Sequence, residues 1–316
     1  MIIAQRIQLV TIAAVVACAT GCGGGSSQSL EDPASGRISL GISDAPVQDA
    51  HQVCLSFAAV EFHKAGAATQ IITFNPPQTV DLLAFQGMNA APLLVDETLE
   101  AGEYQWVRLA IDSAQGGNGG AGAGSNDTEC LGEGSYIVTT DGGVYNLYIP
   151  SSAQSGLQLN QGFTLAIGGT ADFIAEFDLM RSIRSPQGLD PDYIMRPTIR
   201  LHDRLETGSI VGSVSPNLAG APDCMPAVYV YTAGDTPDDY EDDAPGDSVD
   251  PVASAIVKMH GGGNYTYEVG PLVAGTYNVA FSCDDDDPLQ DQVLDYVGSA
   301  ANPVEVTASS RATADF

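Results

Sequence analysis

RISLGIS, residues 37–43, is the stretch that decides the fold class. Ile38, Leu40 and Ile42 fall on one face of an extended segment, and polar or small residues fall on the other. Runs of this kind recur at Gln52–His63, Thr69–Phe74, Thr79–Phe85, Tyr104–Ile111, Ser135–Thr140, Gly143–Ile149, Gly162–Ile167, Asp172–Asp178 and Tyr193–Leu201. They resume at Ser209–Val214, Ala227–Thr232, Ala253–Met259, Tyr265–Val269, Gly275–Phe281 and Val304–Phe316. Asp141-Gly142-Gly143 and Ala65-Gly66-Ala67 read as hairpin turns. Long 3.6-residue apolar periods are absent beyond the N-terminal segment. The chain therefore reads as all-β, with two β-sandwich domains at 37–206 and 207–316. The second carries an acidic insertion at 234–250.

Upstream lies MIIAQRIQLVTIAAVVACATGCGGGSS, residues 1–27. Arg6 precedes an apolar run, Ile7–Ala17, which is shorter than the about 20 residues a spanning helix needs. This is the pattern of a cleaved lipoprotein signal peptide, residues 1–21, followed by a flexible tether, 22–36. Two cysteines compete for the lipid. Cys18 has the better preceding residues, and Cys22 has the better polar leash after it. Parity favours Cys22: Cys54, Cys130, Cys224 and Cys283 then remain, whereas lipidation of Cys18 leaves an odd thiol in an oxidising compartment. Bridges 54–130 and 224–283 are the simplest of the three possible pairings. Each closes a loop worth about 4 kcal/mol in the chain-entropy model. The absence of Asp after Cys22 points, in a Gram-negative envelope, to the outer membrane.

Forty acidic residues oppose eleven basic ones, for a net charge of −29. Nucleic acid is excluded as a partner, because its phosphates need Lys and Arg to displace counterions. The partners left are the membrane, through the lipid, and an envelope protein or polysaccharide.

Few residues suggest chemistry. His51, His63, His202 and His260 have no metal-ligand spacing, and neither HExxH nor GxSxG occurs. Gly116–Asn126 lacks the Lys-Ser/Thr ending of a phosphate-binding loop. Asp44 precedes Ala45-Pro46 and is expected to accept backbone hydrogen bonds in an Asx-turn. Asp172 and Asp178 can pair with Arg181, Arg184, Arg196 or Arg200, on what reads as a solvated face. The insertion is expected to be a mobile charged loop. Its Asp238, Asp239, Asp242 and Asp243, with Asp285 from the Asp284–Asp287 run, are weak calcium candidates, and no other cofactor is indicated. Trp106, Tyr229 and Tyr231 are the aromatic candidates for a sugar platform, and read first as core or rim.

The first domain resembles a bacterial lipoprotein family known as domain of unknown function 4382. The resemblance lies in ISLGISDAPVQDAHQVCLSFAAVEFHKAG (38–66), VDLLAFQG (80–87), LEAGEYQWVRLAID (99–112), YNLYIPSSAQSGLQL (145–159), FDLMRSI (177–183) and YIMRPTIRL (193–201). It implies an immunoglobulin-like or transthyretin-like sandwich on the cell envelope, and brings no catalytic residues. YTYEVGPLVAGTYNVAF (265–281) and GSIVGSVSP (208–216) resemble the carboxypeptidase-regulatory, transthyretin-like sandwiches. The expectation is a non-enzymatic, lipid-anchored binding or scaffolding protein. A carbohydrate-binding adhesion protein is the alternative, and an envelope hydrolase comes third.

Overall fold

A computed structural model describes residues 34–45, 50–112, 130, 134–150, 156–184, 193–240, 249–287 and 292–316. The signal segment, Cys18, Cys22, Asp242, Asp243 and the glycine-rich loop lie outside the described residues.

From residue 35 the strands are β1 (Ser35–Ala45), β2 (Ala50–Lys64), β3 (Gln70–Asp81), β4 (Ala91–Glu100), β5 (Gly102–Ile111), β6 (Tyr136–Thr139) and β7 (Val144–Tyr148). Then come β8 (Leu157–Leu159), β9 (Phe163–Leu165), β10 (Thr170–Asp178), β11 (Ile183–Arg184), β12 (Tyr193–Met195) and β13 (Thr198–Asp203). One helical turn, α1 (Leu179–Ser182), follows β10. A four-stranded sheet has the order β13-β10-β1-β4. It faces a nine-stranded sheet, β11-β12-β7-β6-β2-β5-β8, with β3 also on β2 and β9 also on β5. Ile38, Leu40 and Ile42 point between the sheets and are buried, as the alternation requires. They meet Leu55, Phe57, Phe62, Val107, Leu109, Phe173 and Phe177 in one core.

From residue 207 come β14 (Thr207–Val214), β15 (Ala227–Thr232), β16 (Ala253–Ile256), β17 (Lys258–His260), β18 (Asn264–Val273), β19 (Gly275–Ser282), β20 (Val297–Gly298), β21 (Val304–Val306) and β22 (Arg311–Thr313). The sheet β17-β18-β14-β22 packs on β16-β15-β19-β20, with β21 also on β19. Val228 and Val230 enter the core between these sheets with Ile210, Val269, Leu272, Val279 and Phe281. Tyr229 and Tyr231 point the other way and are equally buried, beneath Leu294 and Tyr296. The outer face of this sheet is therefore covered as well.

Cys54 bonds Cys130, and Cys224 bonds Cys283, one bridge for each pair of sheets. Both pairs of sheets belong to one compact body.

Several sequence boundaries shift. β1 starts at Ser35, inside the expected tether. Thr69–Phe74 and Thr79–Phe85 merge into β3, which bulges past Pro76 and Pro77 between the pairings Ala59↔Thr73 and Phe57↔Gln78. Tyr193–Leu201 divides at Arg196-Pro197, sending β12 and β13 to different sheets. Ala253–Met259 divides similarly into β16 and β17.

Candidate functional site

The most elaborate polar arrangement lies where the first sandwich meets the second. Glu176 and Asp178 share the outer face of β10, because Phe173, Ala175 and Phe177 take the inner one. Antiparallel pairing sets Arg200 beside Glu176 and His202 beside Ile174. Glu176 Oε2 lies 2.9 Å from His202 Nε2 and 3.4 Å from Arg200 Nε. Asp178 Oδ2 lies 3.4 Å from Arg200 Nη2 and accepts the Tyr240 hydroxyl, while its Oδ1 accepts the Arg181 N–H at 3.2 Å. Glu176 and Asp178 are 2% and 1% exposed, so they are desolvated charges held by partners.

The partners come from both sandwiches. Arg200 Nη1 donates to the Val252 carbonyl at 3.0 Å. Arg181 pairs with Asp250, and its guanidinium lies 4.2 Å over the Tyr240 ring. Lys258 Nζ donates to the Leu83 carbonyl at 3.1 Å. Gly87 adopts a left-handed φ of 63°, and a Cβ there would stand 2.7 Å from Glu268 Cγ. Only glycine lets the turn come so near the second sandwich.

This overturns the expectation of a solvated face: Glu176 and Asp178 are buried there, and Arg200 is partly covered by its contact with Val252. At the two ends of the acidic insertion Tyr240 is buried and Asp250 is in an ion pair, while residues 241–248 lie outside the described residues. Arg204, beside this network, pairs with Asp172 at 3.4 Å. Asp44 differs too. Its carboxylate is buried, the backbone N–H that bears on it is that of the distant Leu179, and Pro46 has no N–H to close an Asx-turn. Burial, then the charges of Asp178 and Glu176, hold its carboxyl well above the usual carboxylate range.

A cleft of about 510 Å³ opens beside the junction, lined by Gln86, Asn89, Lys258, His260, Thr266 and Glu268 among others. Glu268 is bridged to Ser209 Oγ at 2.9 Å and to Arg311 at 3.3 Å.

The aromatic candidates are engaged by the protein itself. Trp106 stacks on His63 with centroids 4.8 Å apart, and Arg108 Cζ lies 4.5 Å from its ring centre. Glu61 pairs with Arg108 at 3.2 Å, and Thr69 holds His63 Nδ1 at 3.1 Å. Tyr229 and Tyr231 are covered completely.

The two acidic stretches meet on that tyrosine-bearing face. Asp238 offers its carbonyl to Tyr231, and Asp285 points to solvent. Asp239 is buried and accepts the Gln292 N–H at 2.5 Å. Asp286, which the sequence reading passed over, is buried and accepts the Tyr240 N–H at 3.3 Å. Burial raises the Asp286 carboxyl to about 7, assisted by the charges of Asp239 and Asp285 and opposed by the Tyr229 hydroxyl and the Tyr240 N–H. The only sequence hint was the DDDD run itself, which does not say which carboxylate turns inward. Among the described residues, no three His, Cys, Asp or Glu side chains converge as metal ligands.

Fold and bridges define an all-β, disulfide-bonded protein of an oxidising, extracytoplasmic compartment. No helix among the described residues is long and apolar enough to cross a membrane. The chain belongs to the DUF4382 family, whose model, described as a domain of unknown function, matches residues 35–197. No curated protein matches the chain. Among solved structures, the Bacillus anthracis TIE protein aligns at 11% identity and a TM-score of 0.18, over 90% of this chain and 33% of its own. This chain thus spans about a third of that protein. A candidate adhesin from Bacteroides ovatus aligns at 11% identity and a TM-score of 0.18, over 89% and 88% of the two chains. The major pilin of Streptococcus pyogenes aligns at 12% identity and a TM-score of 0.14, over 90% and 98%. Overlays this weak carry no functional weight.

Proposed function

We propose that the chain is a non-catalytic binding or scaffolding protein, tethered to the outer membrane by a lipid on Cys22. The junction is the observation that carries this reading. Arg200, Asp178 and Arg181 of the first sandwich reach Val252, Tyr240 and Asp250 of the second, so these ionisable groups are spent on holding two sandwiches as one body. A rigid body on a flexible leash suits presentation of a surface, and the cleft lined by Gln86, Asn89, Lys258 and His260 is the recess best placed to take a partner. The leader, the Gly-Gly-Gly-Ser-Ser leash and the parity of the cysteines support the anchor. The carbohydrate alternative has less behind it, since His63 and Arg108 already stack on Trp106.

Two measurements test the reading. Mass spectrometry of the mature N-terminal peptide should find acyl chains on Cys22. Photocrosslinking from His260 in intact envelopes should yield a defined adduct that is lost when Asn89→Trp fills the cleft. Release of soluble fragments from envelope material by the purified protein would overturn it in favour of a hydrolase.

A further inference from the structure

The cleft beside the junction is lined by polar side chains that the protein itself leaves unused. Gln86 lines it and is 8% exposed, yet among the described residues nothing hydrogen-bonds its side-chain amide. Buried amides are almost always hydrogen-bonded, so an idle one on the wall of a recess points to something that enters the recess. Asn89 and Thr266 line it as well, and among the described residues neither side chain has a hydrogen-bond partner. The cleft volume, about 510 Å³, falls within the ~300–1,000 Å³ common for small-molecule sites.

Charge is placed there against the trend of the chain. Residues 208–316 carry 18 acidic side chains, and their only bases are Lys258, Arg311 and the imidazole of His260. All three stand on the sheet β17-β18-β14-β22. Tyr267 and Val269 enter the core, so Thr266 and Glu268 take the outer face of β18. Register sets Lys258 across from Thr266 and His260 across from Asn264, on that same face. Glu268, the carboxylate in the cleft wall, is already held by Ser209 and Arg311. Lys258 spends one of its three N–H bonds on the Leu83 carbonyl. Asp44 and Asp81 act on it electrostatically, but among the described residues no carboxylate is within ion-pair distance of it.

The geometry points to a hydroxylated carboxylic acid, of the uronic-acid kind, as the occupant of this cleft, with Lys258 and His260 on its carboxylate and Gln86, Asn89 and Thr266 on its hydroxyls. The inference rests on the cleft being the recess that takes a partner. Side-chain amides and hydroxyls both donate and accept, which matches the hydroxyl groups of a sugar acid. A phosphate fits less well, because its recognition favours a bidentate Arg fork, and the cleft wall has none. An added peptide strand also fits less well, because edge strand β17 spans three residues and offers too short a ladder. Recognition through charge and hydrogen bonds needs no aromatic platform, so the closure of Trp106 does not bear on it.

The test is isothermal titration calorimetry on the full chain in detergent at constant ionic strength. The probes are galacturonic acid, an oligogalacturonide, galactose and triglutamate. Both acids should bind saturably, and galactose about tenfold or more weaker, the worth of one charge-assisted hydrogen bond. A tighter oligomer identifies a polysaccharide as the source and equal affinities a free sugar acid; either supports the site. Lys258→Gln should weaken acid binding about tenfold. Asn89→Trp, at an exposed position, should abolish it with an unchanged melting temperature. Melting curves show whether Lys258→Gln folds; if it does not, Asn89→Trp decides alone. Absence of acid binding by wild type overturns the proposal, as does galactose binding equal to the acids. So does triglutamate binding tighter than either acid, or unchanged affinity in both variants. A defined His260 adduct from envelopes together with no acid binding overturns this ligand class alone, whereas absence of both overturns the recess itself.

Discussion

Replacing Arg200 by Met tests whether the junction holds the two sandwiches together. Arg200 lies between Glu176 and Asp178, whose side chains are both 2% exposed, and it also reaches the Val252 carbonyl. Removing one partner from a buried ion pair costs about 3–5 kcal/mol, mostly because the other charge is left uncompensated. Two features pull the value to the lower end. His202 still serves Glu176, and Tyr240 still serves Asp178. The Arg200 side chain is itself 37% exposed, so water already screens part of the interaction. The expected loss is about 3 kcal/mol, read from urea unfolding at neutral pH. Converting Glu176 to Gln and Asp178 to Asn in the same protein should recover most of it, since the orphaned charges then vanish. A loosened junction would also let the sandwiches unfold separately and lower the apparent m-value. A loss below about 1 kcal/mol with an unchanged m-value would return this face to the solvated surface that the sequence suggests.

Three further outcomes are expected. Phe177→Ala removes a fully buried ring packed edge-on against Phe57 at 6.3 Å, and should cost about 3–5 kcal/mol in the same assay; a loss near zero would mean that the core assignment is wrong. Replacing Cys224 and Cys283 by Ser opens a bridge with a sequence separation of 59, worth about 4 kcal/mol by loop closure; melting temperatures equal to wild type under oxidising conditions would refute this. The Asp286 carboxyl stands at about 7 in the folded protein, against an ordinary value of 3.8. The folded state then holds its proton more tightly than the unfolded chain, so stability is undiminished below about pH 4 and falls as pH rises through about 7. The loss is on the order of 4 kcal/mol at most, Asp286→Asn should flatten the profile, and a wild-type profile already as flat as the variant's would contradict the assignment.

The strands were legible where side-chain alternation had one apolar face. RISLGIS became the inner face of β1, and the expected strand Tyr265–Val269 became β18, which runs on through Gly270 and the buried Leu272 to Val273. β4 escaped notice because Pro92, Asp96 and Glu97 interrupt its apolar pattern, and Asp96 takes a φ of 51° beside a register shift on an edge strand. A period of two reports which residues share a face, not what lies over that face. Glu176, Asp178, Arg200 and His202 therefore read as a polar exterior, although Val252 packs on Arg200 and Tyr240 on Asp178 from 52 and 62 residues downstream. The same limit hid Asp286. Four consecutive aspartates are equivalent in sequence, and only the packing of Gln292 and Tyr240 against them selects one to face inward.

Charge placement follows one rule across the molecule. Residues 37–207 carry 20 acidic and 8 basic side chains, and residues 208–316 carry 18 and 2, so each sandwich repels the other. Exposed charges farther apart than about 8 Å are screened at physiological salt, so the repulsion that matters arises where the two surfaces touch and water is excluded. The scarce cations are concentrated there: Arg181, Arg200 and Lys258 each cross the junction to a carboxylate or carbonyl of the opposite sandwich. Asp250 ends the insertion that raises the repulsion, and its pairing with Arg181 offsets part of that charge at the junction.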